Sequence, residues 1–558
     1  MTIAREHRLP LVIIGGAIVF VMVLHFVATT WGPLTSRDSL QYLRAAQSVT
    51  EGHGVSVSQV EDGRVVYRPL SWWPGLFPTV LAWLSMATGL TPGQAARLLH
   101  VVLLGGLIAL VAATTAWAPS GIRLRQSDDE GDGVTTLWPA AAAAWLVACQ
   151  PKVLRVYVHV WTEPIFVTLT LLTLLLVVRH VSRPSWKVAG LLGVLTGLAY
   201  LTRYAGMSLV VGVPLLLVVV ALTSQQAQPV GRRRIVLQSG TTLLVGASFV
   251  GAWALRNVHV GARATGRKEA LDVTWSERWE LLVFNLETIG DQVVDWVWPD
   301  PGLGIGVGWV VGIWVVLVGM GIGLVRFRSR LRPTEVGQPS SVVPVFVLAA
   351  VGYVSFILLV KVFLDQGYAD YRLMMPVQVL LLTAGVVVFS RVSVRLPRTV
   401  SLVAGVVLVG LIVGRNVDRT IGYALDRRVD EQGPTPKLST SPVTRRLIKT
   451  LPRGAWVASY GQHSKVLAAR GGYVRWRVPG ASWSPDADEL DRIQTAFTTD
   501  GGAFVVLDER DGEDNGAVPP EQFADLIGLV AMPRQPGDDG VIYVLDDAAP
   551  ATRPATSR

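Results

Sequence analysis

The sequence predicts an all-α polytopic membrane protein of about eleven transmembrane helices, with a small extracytoplasmic α/β domain at its C-terminal end. Three observations predict it. Of 558 residues, 51% are hydrophobic and only 16% are charged, where soluble domains usually carry about 25% charged residues. Apolar runs long enough to cross hydrocarbon recur along the chain. The charge is unevenly spread: about 13% of residues 1–415 are charged, against about 26% of residues 416–558. A soluble enzyme, a disordered chain and a fibrous protein are thereby excluded. The one cysteine, Cys149, excludes a disulfide framework and a cysteine-based zinc site. The net charge of +9 does not point to nucleic acid, because most arginines sit in short tracts between apolar runs.

The runs lie near 10–31, 95–118, 137–149, 164–180, 187–201, 207–223, 235–255, 303–326, 342–361, 373–390 and 398–415. The first exceeds a signal-peptide h-region and has no small-residue cleavage site, so it reads as an uncleaved anchor. With Arg5 and Arg8 in the cytoplasm, single crossings place Arg123/Arg125, Arg179/Arg183/Lys187, Arg232–Arg234, Arg326–Arg332 and Arg391/Arg395/Arg398 there too. Counting the apolar stretch 74–90 as a further span would invert all of these. It is therefore read as a surface or re-entrant helix. The protein is then a multi-pass protein of the cell membrane, with its N-terminus cytoplasmic and residues 416–558 outside. The acidic run 128–132 is a solvated cytoplasmic linker.

The outer loops hold the unusual residues. Residues 35–50 have helical spacing and end at Gly52-His53-Gly54. Asp38, in the first turn, is either an N-cap or a functional carboxylate, and Ser36 could serve equally as the cap. Glu163 precedes Pro164 at a span's outer mouth. A helix-start carboxylate favoured by the macrodipole accounts for it, yet carboxylates at membrane depth are costly and usually functional. Lys152, Arg155, Arg203 and Arg372 run against the charge bias. Snorkelling explains any one of them; together they suggest an anionic ligand at the outer leaflet.

Seven features occur in order: Asp38, Gly52-His53-Gly54, the Pro-rich segment Arg68–Pro78, Tyr157 with Thr162-Glu163-Pro164, Leu201–Gly206, Leu255-Arg256-Asn257, and Tyr371–Pro376. On these the chain resembles the GT-C superfamily of integral-membrane glycosyltransferases. Within it, the bacterial branch grouping with protein O-mannosyltransferases and the aminoarabinose transferase of lipid A is most similar. The resemblance covers residues 1–415 as the glycosyltransferase domain. It departs from that branch at Ser39 after Asp38 and at Asp370 before Tyr371-Arg372, which bears on the acceptor. It implies single-displacement transfer of a sugar from a polyprenyl-phosphate donor to a hydroxyl of a protein, lipid or glycan acceptor. Asp38 would be the general base. Glu163 would orient the acceptor, hold the base or bind a divalent cation, which some branches use; whether a metal is needed stays open. Arg203 and Arg372, then Arg155, would bind the donor phosphate. His53, Gln41 and Tyr42 would line the acceptor side. The alternatives are a lipid-linked glycan ligase or polymerase, a transporter or flippase, and a non-enzymatic scaffold.

In residues 416–558, strands are expected at 455–460, 473–478, 503–507 and 540–545, with helices at 462–470, 488–497 and 519–527. His463 has no catalytic constellation around it, and 548–558 reads as a disordered tail.

Overall fold

The structure is a computed structural model. It describes residues 5–30, 32–61, 64–117, 137–223, 229–264, 273–297, 342–364, 369–393, 398–425 and 441–451, then 456–459, 474–477, 491, 493–495, 502–507, 519–536, 538 and 540–545. The apolar run 303–326, the linker 128–132, the tracts around Arg123 and Arg326, the expected helix 462–470 with His463, and the tail lie outside these residues.

The protein is an all-α polytopic membrane protein with a small α/β part. Six helices are long and apolar enough to cross a bilayer. They lie within α1 (Arg5–Ala28), α4 (Pro92–Trp117), α7 (Glu163–Ser182), α10 (Pro229–His259), α12 (Val342–Phe363) and α13 (Tyr371–Ser393). The runs at 137–149, 187–201, 207–223 and 398–415 also form helices: α5 (Trp138–Ala148), α8 (Trp186–Thr202), α9 (Met207–Thr223) and α14 (Arg398–Leu425). The 11 residues of α5 rise only about 16 Å. After a break the chain continues into the buried α6 (Pro151–Val158). A break inside an apolar bundle frees backbone groups that need partners, and the Thr420 hydroxyl donates to the Cys149 carbonyl across 2.6 Å. Helices α8 and α10 meet along a glycine seam. An added Cβ at Gly193 would come within 2.6 Å of Val245, and one at Gly197 within 2.5 Å of Phe249, so small residues permit this approach.

One end of the bundle is covered by α2 (Arg37–Thr50), the antiparallel hairpin β1 (Ser56–Glu61)–β2 (Arg64–Pro69) and α3 (Leu76–Thr88). The 13 residues of α3 span about 20 Å, short of the ~30 Å of hydrocarbon. Tyr42 and Leu43 of α2 pack on Phe77, Leu81 and Ala82 of α3 and on Val160. Between α10 and α12 in chain order stands a helix, α11 (Trp275–Val297). It opens on a capping box in which the Thr274 N–H donates to Glu277 (2.7 Å) and the Glu277 N–H to the Thr274 hydroxyl (3.4 Å). It packs on α12 and α13.

Helix α14 runs through position 416 to Leu425, so the rise in charge at 416 begins inside a helix rather than at its end. Beyond it come α15 (Pro442–Thr450), β3 (Trp456–Ser459), β4 (Val474–Arg477), β5 (Ala503–Leu507), α16 (Pro520–Ile527), β6 (Leu529–Ala531) and β7 (Gly540–Leu545). The sheet order is β4-β3-β5-β7-β6. Strand β3 is parallel to β4 and β5, and β7 is antiparallel to β5 and β6. Edge strand β4 lies against hairpin strand β1. Of the helix expected at 488–497, only 491 and 493–495 are described, and they are helical.

Candidate active site

Helix α2 begins at Ser36, which forms a reciprocal capping box with Ser39: the Ser39 N–H donates to Ser36 Oγ at 3.3 Å and the Ser36 N–H to Ser39 Oγ at 2.9 Å. Ser36, not Asp38, is therefore the cap, and the Asp38 carboxylate is free to reach across the site. It accepts a hydrogen bond from Arg372 Nη1 at 3.3 Å, across 334 residues of chain.

Arg372 is the hub. Its Nε donates to Asp370 Oδ2 at 2.8 Å and lies 3.9 Å from Glu163 Oε1. Its guanidinium sits 4.6 Å over the Trp161 ring. This is a use of arginine that lysine cannot match, with flat stacking on one face and separate donors at the edge. Trp161 is itself pinned, its Nε1–H donating to Ser36 Oγ at 2.9 Å. Asp370 also accepts from the Leu373 N–H at 3.0 Å, which caps α13. Burial pushes the Asp370 carboxyl up, but Arg372 and the hydrogen bonds outweigh this and hold it below the usual carboxylate range.

Glu163 opens α7 and is buried. It forms an ion pair with Arg203. Arg203 stands where α8 stops and the chain turns extended. The turn closes when the Gly206 N–H donates to the Arg203 carbonyl at 2.8 Å. A Cβ at Gly206 would come within 2.4 Å of the Ala199 backbone, so glycine is required there. Tyr42 is buried beside Asp38, Glu163 and Arg203; burial first, then the two carboxylates, push its phenol well above its ordinary value. Tyr42 is thus a neutral wall with one hydroxyl.

The structure brings together Asp38, Glu163, Arg203, Arg372 and Tyr42. Arg155 stands at the margin, its guanidinium 5.0 Å over the ring of Tyr371. Gln41 is half-buried one turn beyond Asp38. His53 lies apart from the cluster: it is exposed and stacks on Tyr67 of the hairpin at 3.7 Å. Lys152 donates to Gln292 of α11 at 2.8 Å. Arg256 ties the Pro-rich segment to the start of the hairpin, donating to the Leu70 and Val55 carbonyls at 2.7 Å each. Sequence reasoning gives no site role to three members. Trp161 and Asp370 flank residues it selects, and Asp370 stands two before Arg372. Tyr353, whose charge environment includes Arg203, Glu163 and Asp370, lies inside an apolar helix and gives no signal. Among the described residues, no three His, Cys, Asp or Glu side chains group to hold a metal ion.

No family model and no curated protein matches the chain. Solved structures do. ArnT from Cupriavidus metallidurans bound to undecaprenyl phosphate is similar at a TM-score of 0.45 and 13% identity, covering 95% of this chain and 98% of that one. The archaeal oligosaccharyltransferase AglB from Archaeoglobus fulgidus, in complex with an inhibitory peptide and a dolichol-phosphate, is similar at 0.48 and 11%, covering 91% and 70%. The S. cerevisiae protein O-mannosyltransferase Pmt1-Pmt2 complex bound to the sugar donor is similar at 0.34 and 13%, covering 52% and 37%.

Proposed function

We propose that this chain is a membrane glycosyltransferase that moves a sugar from a polyprenyl-phosphate donor to an acceptor hydroxyl at the extracytoplasmic face. The observation that carries the reading is the cluster itself. Four segments far apart in sequence deliver Asp38, Glu163, Arg203 and Arg372 to one end of a bundle whose spans carry large apolar side chains at their surface. Ionisable groups gathered at membrane depth mark function by default.

The chemistry fits the parts. A donor phosphate at the bilayer rim needs cations, and guanidinium matches phosphate bidentately. The acceptor oxygen attacks the anomeric carbon as the bond to the phosphate oxygen breaks. The polyprenyl phosphate leaves with the electron pair, and the acceptor proton passes to a base. One displacement inverts the anomeric centre. Asp38 is the base of choice: it keeps a 3.3 Å contact and its side chain is 27% exposed, whereas Glu163 is 3% exposed and committed to Arg203. Glu163 holds Arg203 and approaches Arg372, Arg372 and Arg203 bind the phosphate, and Tyr42 packs behind them. Acceptor-side roles for Gln41 and His53 would draw on α2 and the hairpin rim.

Membranes carrying the protein, supplied with radiolabelled polyprenyl-phosphate sugars, test this. Asp38→Asn is expected to lower transfer about 10²–10⁴-fold with expression and insertion unchanged. Normal transfer in that variant removes Asp38 from the role. Transfer only from a pyrophosphate-linked oligosaccharide would make the protein a ligase.

A further inference from the structure

Two buried histidines play no part in the chemistry above. His25 lies in the last turn of α1 and His100 in α4, and both are 0% exposed. Their rings converge on one atom. His25 Nε2 and His100 Nδ1 each lie 3.1 Å from the carbonyl oxygen of Tyr157. A carbonyl accepts two hydrogen bonds, so the contacts require the Nε2–H form of His25 and the Nδ1–H form of His100. Tyr157 is the penultimate residue of α6. The last carbonyls of a helix have no partner within it, and here the partners come from two other helices.

Just past that carbonyl the chain enters the site. Four residues on is Trp161, which carries Arg372 on its ring, and six on is Glu163. The same segment is tied to the approach to Asp38. The Leu34 N–H donates to the Val158 carbonyl at 2.9 Å, the Val160 N–H to the Leu34 carbonyl at 3.0 Å, and the Trp161 indole to Ser36. His100 also faces the backbone of His159 and Trp161 and stacks on Phe77 at 5.7 Å. On the α1 side, Arg97 Nε donates to Thr29 Oγ1 at 2.9 Å, and Thr29 Oγ1 in turn donates to the His25 carbonyl at 2.7 Å.

We infer that His25 and His100 are positioning residues, a two-sided clamp on the Tyr157 carbonyl that sets where Trp161, Glu163 and, through Leu34, Asp38 stand. The inference rests on the glycosyltransferase reading for its kinetic consequence, but not for its structural one.

The test uses the isosteric amides. Glutamine places a donor near the position of a histidine Nε2, and asparagine near that of an Nδ1. His25→Gln and His100→Asn are the matched variants, His25→Asn and His100→Gln the mismatched ones, and His25→Leu and His100→Leu remove the donor. Two quantities are read in the full-length protein: hydrogen exchange of the peptide 157–163, and kcat/KM for the sugar donor. Mismatched and Leu variants are expected to raise exchange in that peptide and to lower kcat/KM for the donor about 10- to 100-fold, as a displacement of about 1 Å does, because Trp161 and Glu163 hold Arg372 and Arg203. Matched variants restore both. Where a Leu variant does not fold, the matched and mismatched pairs, equal in polarity, decide. Equal behaviour of the two pairs, or unchanged exchange in 157–163 when the donor is lost, overturns the clamp. Wild-type protein that transfers no sugar counts against the glycosyltransferase reading and leaves the exchange measurement to decide the clamp.

Discussion

Glu163→Gln keeps the shape of the side chain and removes its charge. Glu163 is 3% exposed and its partner Arg203 16%, so the change leaves a guanidinium buried opposite an amide. Removing one member of a buried pair costs about 3–5 kcal/mol, because the remaining charge is uncompensated. Glu163 Oε1 also faces Arg372 Nε at 3.9 Å. Opposite unit charges at that separation attract by about 4 kcal/mol at an effective dielectric near 20. Without Glu163 the two guanidiniums face each other with less between them, which puts the cost at the upper end, about 4–5 kcal/mol. Arg203→Met leaves Glu163 with Arg372 still in reach, so about 3 kcal/mol is expected. The double variant removes both charges together and is expected to lose clearly less than the sum of the singles. Chemical unfolding of the detergent-solubilised protein, run as a double-mutant cycle, measures this. Costs that add within about 0.5 kcal/mol would refute a desolvated pair at the centre of the site.

Arg372→Lys removes the flat stacking on Trp161 and the separate donors to Asp38 and Asp370. Donor KM should rise about tenfold or more, about 1.4 kcal/mol of lost binding, and an unchanged KM argues against a phosphate role. Gly206→Ala drives a Cβ into the Ala199 backbone, which cannot swing aside as a side chain can. Overpacking of about 1–3 kcal/mol, with a matching fall in thermal stability, is expected, and a neutral result would mean that the Arg203 turn tolerates a shift. Asp370 has a depressed carboxyl. Its contribution to stability is therefore present above the ordinary carboxylate range and lost as pH falls through that range and below. Asp370→Asn keeps a capping acceptor for Leu373 and should flatten that acid limb in a thermal melt followed against pH; an unaltered limb assigns it to other carboxylates.

Spans are legible because a bilayer imposes a length on apolar runs, and every such run within the described residues forms a helix. The α11 helix is not legible as such: its acidic residues Glu277, Glu280, Glu287 and Asp291 break the apolar count, and only the Thr274–Glu277 box announces it. Strands β3, β4, β5 and β7 stand out as short β-branched and aromatic runs, while the three residues of β6 are too few for a pattern. Asp38, Glu163, Arg203 and Arg372 are legible as single oddities, two carboxylates at helix starts and two cations against the charge bias. That they meet is a long-range fact with no local pattern. Trp161 is hidden for another reason: nothing in a sequence distinguishes an indole stacked on a guanidinium from one at a lipid interface.

On the proposed reading, the balance of charge orders the reaction. Three carboxylates, Asp38, Glu163 and Asp370, surround two guanidiniums, Arg203 and Arg372. Among these five groups the carboxylates outnumber the guanidiniums, and an anionic donor gains most by taking a guanidinium from a carboxylate. Glu163 is the most buried and closely paired, and Asp370 is held at 2.8 Å and tied to the helix start. Asp38 has the longer bond, at 3.3 Å, and the greatest exposure of the three. It yields first. Phosphate binding then does two things with one contact: it seats the leaving group on Arg372 and releases from Arg372 the carboxylate that takes the acceptor proton. The base is unpaired only while a donor occupies the site, so acceptor binding without donor should leave the Asp38–Arg372 contact in place.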